Sequence, residues 1–375
     1  MAGVPDHPGR DDGWNEPEYE VIGGGLVDDQ PRTGQSGHGS NPPRDAGYKN
    51  AAFKNAVFKD AVFKNAVGIA WRDARKSFSS WLFWLSCCSG VALAAGTAAG
   101  LVAWALRNGW IENAMPAATF VIMAAFLGFP AAVLGVVWGF RHVHESVLVM
   151  LLAGALRGLA LAVVALPFLL MLGISSGGPL ALAGAAVVVV VLEVAVFGLM
   201  GAGSRACFAA TVPGVALASV LAAFFCAGNV ALTVHLLPGT TDLASASVPV
   251  NVERDEAGRI TAYECVGSLH QVEVAHTDRV AWLAASHPAL LLASVGAEFV
   301  PPDNDVAWVL SGLQFAADGP AREVPCLGGV SSDGLAPAVP VALTGLFLQG
   351  LLAAVVLAAG RWLASRRVTT DSASG

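Results

Sequence analysis

Apolar residues fall along this chain in six runs of about 20 residues or more, parted by short turns and one long polar interruption. A helix needs about 20 mostly apolar residues to cross ~30 Å of hydrocarbon. The runs therefore predict six transmembrane helices. The first covers Trp81–Leu106 and the second Met115–Phe140. The third lies within Val147–Ile174 and the fourth within Pro179–Met200. The fifth covers Phe208–Leu237 and the sixth Val339–Leu363, and between these two lies the more polar stretch Pro238–Pro340. Alanine, glycine, valine and leucine dominate the runs. Small residues let helix backbones approach closely in lipid, so a packed bundle is expected.

Val280–Phe299 is also apolar for about 20 residues, which raises the alternative of a seventh span. A seventh crossing would carry the C-terminal arginines to the outer side. It would also place His287-Pro288 at mid-membrane and Glu298 near the end. A pair of short helices, lying on the outer membrane face or packed in an external domain, is the expected arrangement.

Composition agrees with a membrane protein. Of 375 residues, 55% are hydrophobic and 13% charged, against about 25% charged in soluble domains. The net charge is −7, and no dense Lys/Arg run is present, which argues against nucleic-acid binding. Lysine and arginine set the orientation. Lys49, Lys54, Lys59, Lys64, Arg72, Arg75 and Lys76 precede the first span, and Arg361, Arg366 and Arg367 lie at or beyond the end of the last. Arg141 and Arg205 follow the second and fourth spans, whereas the loop after the first holds only Arg107 and that after the third holds none. Both termini are therefore expected in the cytoplasm and the long segment outside, in a multi-pass plasma-membrane protein.

The expected fold is all-α: a six-helix transmembrane bundle with an N-terminal interfacial helix and a small external domain between helices five and six. Residues 1–47 read as a disordered acidic cytoplasmic tail without a cleavable leader, and 48–78 as a basic juxtamembrane segment and interfacial helix. The first five helices occupy 79–237, the external domain 238–338, the last helix 339–365 and a short cytoplasmic tail 366–375. Within 48–67 the sequence repeats as YKNAA, FKNAV, FKDAV, FKNAV. That supplies one coil of a pentapeptide solenoid at most, so it reads instead as a basic, aromatic segment lying on anionic lipid.

Four of six cysteines (Cys87, Cys88, Cys207, Cys226) lie in or beside apolar runs. Cys265 and Cys326 both fall in the long segment, where an oxidising exterior favours a disulfide between them; two free thiols are the alternative. Two ionisable residues are embedded, Arg157 in the third span and Glu193 in the fourth. Intramembrane charges usually face the bundle and pair. These two are expected to pair with one another, as a structural clamp or as part of a translocation path.

Catalytic chemistry is sparse. There is no nucleotide-binding G-x-x-x-x-G-K-S/T and no Gly-Lys pair. His142, His144 and Glu145 form H-x-H-E, not the H-E-x-x-H that sets two ligands one helical turn apart. Ser175 and Ser176 lie in a turn between spans, not where an intramembrane serine nucleophile would sit. No catalytic, cofactor-binding or metal-binding residue is assigned.

The order of parts is more informative. Asn65-Ala66-Val67 leads to Arg72-Asp73-Ala74-Arg75. Arg141-His142-Val143-His144-Glu145-Ser146-Val147-Leu148 precedes Leu151-Leu152. A glycine-rich passage, 197–219, enters the fifth span, and 277–299 closes the external segment. In this order the chain resembles, over roughly residues 65–365, the membrane (permease) subunit of type-2 ABC exporters, particularly those of actinobacteria. The resemblance implies a transport subunit, not an enzyme. A separate cytoplasmic ABC ATPase would bind the ATP, and a second permease would complete a homo- or heterodimer among membrane lipids. It further implies motor docking near Trp71, Arg72, Arg75, Arg141, His144 and Glu145. An apolar bundle with few embedded charges suits amphipathic or lipid-like cargo better than a small ion. The competing reading is a membrane scaffold or sensor whose external domain binds a ligand or partner.

Overall fold

The computed structural model describes residues 63–109, 117–255, 260–300, 306–332 and 339–373. The acidic tail 1–47 and the five-residue repeat up to residue 62 lie outside the described residues. Among the described residues, six helices are long and apolar enough to cross a membrane, which makes this a multi-pass helical membrane protein.

Residues 63–78 form the first helix, α1. The first span is α2 (Trp81–Arg107). The second is built from two pieces, α3 (Ala118–Phe126) and α4 (Gly128–Arg141), joined at Leu127. The third, α5 (Val147–Ser176), starts where the Ser146 hydroxyl accepts from the Val149 amide and stops at Gly177, whose φ of +67° suits glycine. The fourth is α6 (Ala181–Cys207). The fifth is α7 (Thr211–Ala223), a π-turn over Phe224–Gly228, and α8 (Asn229–Leu236). The sixth belongs to α13 (Val341–Ala373), named after the elements that precede it.

The segment between the fifth and sixth spans is not wholly helical. Two long antiparallel strands, β1 (Thr241–Arg254) and β2 (Ile260–Ala275), open it, with Ala246 opposite His270 and Pro249 opposite Cys265. Helices α9 (Asp278–Ala285), α10 (Pro288–Ala297), α11 (Ala307–Ala317) and α12 (Pro320–Glu323) follow. Cys265 and Cys326 are disulfide-bonded, with Cα atoms 5.6 Å apart. Short bridges pair Leu327 with Ala246 and Ser332 with Tyr263, so the chain after α12 runs back along the hairpin. Ile260, Tyr263 and Cys326 are buried together beneath it.

Helix α6 is the hub, and its neighbours approach through glycines. A Cβ on Gly135 of α4 would lie 2.9 Å from the Val194 carbonyl, and one on Gly139 would strike the Gly198 carbonyl. On α5, a Cβ at Gly158 would lie 2.9 Å from the Val191 Cα; on α13, one at Gly360 would lie 2.6 Å from the Gly203 carbonyl. The matched numbers rise together for α4 and α13 and oppositely for α5, as alternating crossings require. Adding bulk to a filled core typically costs about 1–3 kcal/mol. Gly139→Leu is therefore expected to lower the thermal unfolding midpoint in detergent markedly. Gly96→Leu, where nothing lies within 4 Å of a Cβ, should leave the midpoint unchanged.

The apolar stretch 280–299 departs from its expected place. It does form two short helices, but they bend by 106° at the break and lodge among the spans. Pro288 sits against Gly128 of the second span, and the Ala285 carbonyl sits against Gly345 of the sixth. The elbow is inserted because glycines on both neighbouring helices leave room for its backbone.

Candidate functional site

Two polar clusters stand out in the apolar body. The first lies where α1 meets the bundle. Ala66, Ala70, Asp73 and Ser77 recur at helical spacing on one face of α1, and all are buried. Ala66 and Ala70 pack on Val149 and Ala153 of α5. Asp73 and Ser77, on the same face, meet Arg157. Its Nη2 donates to Asp73 Oδ2 at 2.7 Å and its Nε donates to Ser77 Oγ at 3.1 Å. The Arg157 side chain is 3% exposed. His144 Nε2 lies 3.1 Å from the same carboxylate oxygen.

Burial pushes the Asp73 carboxyl up, but the Arg157 charge, the adjoining His144 and the His142 charge outweigh it and hold it below the ordinary aspartate value. His142 is lowered, by burial first and by the Arg157 charge second. The cluster thus holds an ionised aspartate on a buried guanidinium.

The second cluster surrounds the elbow. His287 is the N-cap of α10, its ring accepting from the Leu290 amide, and Pro288 occupies the first turn. Its Nε2 lies 3.0 Å from the Cys226 carbonyl. A carbonyl only accepts and an amide only donates, so His287 is the neutral Nε2–H tautomer. The π-turn at Phe224–Gly228 explains why that carbonyl is available. The Asn229 amide bonds back to Phe224, and the Val230 amide is taken by Asn229 Oδ1 at 2.9 Å. Asn229 Nδ2 donates to Ser286 Oγ at 3.0 Å. Gln349 Nε2 donates both to the Ser286 carbonyl at 2.8 Å and to Glu193 Oε1 at 2.9 Å. Glu193, Asn229, Ser286 and Gln349 have no exposed surface. The fourth, fifth and sixth spans are thereby tied to one elbow.

Glu193 Oε2 and Gln349 Oε1 have no hydrogen-bond partner among the described residues. A glutamine at position 193 keeps a side-chain oxygen for the Gln349 amide to donate to, and brings donors of its own to this pocket of acceptors. Glu193→Gln is therefore expected to keep near-native thermal stability, whereas Glu193→Leu leaves the Gln349 amide short of an acceptor and should lose about 1–3 kcal/mol. Thermal unfolding of both variants in detergent checks this ordering.

These partners correct the expected Arg157–Glu193 pair. Arg157 is bound to Asp73 and Ser77, and Glu193 to Gln349. The two helices do lie side by side, with Gly158 against Val191, but the charged groups leave the seam in different directions. A carboxylate on α1 meets Arg157, and an amide on α13 meets Glu193.

The six residues of the expected docking surface lie at one end of the molecule. Trp71, Arg72 and Arg75 are on the exposed side of α1, opposite its alanine face. Arg141 and Glu145 are exposed, and half-buried His144 joins their turn to α1 through Asp73. Arg361 donates to the Glu145 carbonyl, and Arg367 donates to the Ala206 and Cys207 carbonyls at the same end. Among the described residues, no three His, Cys, Asp or Glu side chains gather as metal ligands.

Ser77, Asn229, Ser286 and Gln349 are absent from the sequence reading, and Asp73 and His287 enter it only as parts of a motif and of a break, without these partners. Asp73 had a readable signal, since it falls on the alanine face of an amphipathic helix. Compared with family models, curated proteins and solved structures, the chain matches none.

Proposed function

We propose that the chain is the permease subunit of a type-2 ABC export system, acting with a second permease and a separate cytoplasmic ATPase. The buried Asp73–Arg157 bond carries this reading. It joins a helix with an exposed aromatic and basic face to the interior of the third span, so a push on α1 reaches the bundle directly. The chain has no phosphate loop of its own, which fits a division of labour with a motor subunit.

In this reading the end bearing α1, the 142–146 turn and the C-terminal arginines faces the cytoplasm, as the positive-inside bias favours. The disulfide-bonded hairpin faces the oxidising exterior. The elbow at Ser286-His287 then enters from outside and holds three spans in one arrangement. Movement of α1 can reach that arrangement through α5 and α6, and through Phe78 against Phe83, which packs on Trp138 of the second span.

Affinity purification in mild detergent is the test. An ATPase bearing a phosphate loop should accompany the protein, and the reconstituted pair should hydrolyse ATP faster than the motor alone. Recovery of the folded protein with no ATPase would favour the scaffold or sensor.

A further inference from the structure

We infer that the groove between α2 and α4 is a binding site for one anionic glycerophospholipid, its phosphate at Lys76 and Arg141 and one acyl chain along the groove. The inference does not depend on whether the chain transports. The groove encloses about 650 Å³ and runs into a second stretch of about 550 Å³; both are lined by Ser86, Ser89 and Leu134. Its two ends differ in chemistry. Lys76, Arg141, Ser77 and Ser80 line the mouth, whereas Leu93, Phe129 and Val133 line the far end. Cations and hydroxyls at one end with hydrocarbon at the other match a lipid phosphate and its tail.

The length fits too. From Trp81 to Leu93 the helix rises about 18 Å, and one leaflet of hydrocarbon is about 15 Å deep. The groove opens sideways, where a lipid would enter: Leu82 is 57% exposed and Leu93 71%. Neither Lys76 nor Arg141 has an acidic partner among the described residues, so both charges are available to a phosphate. A second copy docked here about a twofold axis would set the same two cations against their own images, which disfavours self-association at this mouth.

The test uses the full-length protein in mild detergent with phosphatidylglycerol and phosphatidylcholine of identical chains, read by native mass spectrometry. Phosphatidylglycerol should be retained in preference. Lys76→Gln/Arg141→Gln should weaken its retention roughly thirty-fold, from about 1 kcal/mol per cation near a lipid surface. A phosphatidylglycerol with a photoreactive tail should label peptides around Ser89 and Val133, and Ser89→Trp should block that labelling by filling the groove. Equal retention of the two lipids would overturn the inference. So would labelling spread evenly over the spans, or efficient crosslinking of two copies through Ser89→Cys. If the double variant does not fold, Ser89→Trp decides alone: undiminished labelling would count against the site.

Discussion

Asp73→Ala is expected to destabilise the folded protein by about 3–5 kcal/mol, because it leaves the Arg157 guanidinium buried without its carboxylate. Asp73→Ala/Arg157→Leu should recover most of that loss, since removing both charges also removes the burden of desolvating them. Arg157→Leu alone should fall between, leaving an aspartate whose neighbour is His144 at 3.1 Å. Thermal unfolding of the four proteins in one detergent gives the cycle. Additive losses would mean that the 2.7 Å contact carries no coupling. The double variant separates stability from function as well. It should fold, yet respond poorly to a motor, because α1 would rest on the third span through apolar contacts of Ala66, Ile69 and Ala70 without the ionic bond.

Acid should mimic the single variant. The Asp73 carboxyl is held below its ordinary value. Its contribution is therefore present above about pH 4, the unfolded aspartate value, and lost as pH falls through the lower folded value. Wild-type protein should lose this increment at strongly acidic pH, and the Asp73→Ala/Arg157→Leu variant should lack that step.

The second large effect is expected at the disulfide. Cys265 and Cys326 are 61 positions apart, and the chain-entropy model gives a loop of that size about 4 kcal/mol. The apolar cluster beneath the hairpin is small, Ile260, Tyr263 and Cys326, and Arg322 joins it through the Ile260 carbonyl while pairing with Asp318. Cys265→Ser/Cys326→Ser should make residues 241–275 and 320–332 rapidly cleavable by an added protease while leaving the glycine-packed spans, and the elbow lodged among them, intact. Unchanged protease resistance would show that the strand pairing and the bridges to Leu327 and Ser332 suffice without the bond.

The spans were legible because hydrocarbon imposes a length and a composition that few other structures share. Their ends agree with the apolar runs to within a few residues, with two exceptions. Helix α13 runs on to Ala373, ten residues past Leu363 and through most of the expected tail. Helix α6 continues to Cys207, past Met200, through Gly201, Ala202, Gly203 and Ser204. These small residues resemble a loop by composition, but they are the surface on which α4 and α13 rest. The extension puts Glu193 near the middle of its helix, not toward one end. The paired cysteines were legible from their shared segment.

The strands were overlooked although Val248-Pro-Val-Asn-Val252 alternates with period two. The elbow was read correctly as two short helices around His287-Pro288, but its depth was not readable. Depth depends on Gly128 and Gly345, which lie far away in sequence. The partners of Arg157 and Glu193 were missed for a related reason. Within the spans the two ionisable groups have only each other as charged partners, whereas the structure satisfies one from a flanking helix and the other with a neutral amide. Asn229 and Gln349, uncharged polar residues in apolar helices, were the available signal.

Sidedness is decisive: α1 and the C-terminal end must share the cytoplasmic face, and the hairpin must lie across the membrane from them. Single reporter cysteines measure this directly in a variant lacking the four free thiols Cys87, Cys88, Cys207 and Cys226. One reporter is Leu243→Cys, on an exposed hairpin position; the other is Gly375→Cys. With a membrane-impermeant maleimide on intact cells, the first should be labelled and the second only after permeabilisation. Labelling of Gly375→Cys in intact cells would contradict the account, because the surface proposed for the motor could then not face the ATP.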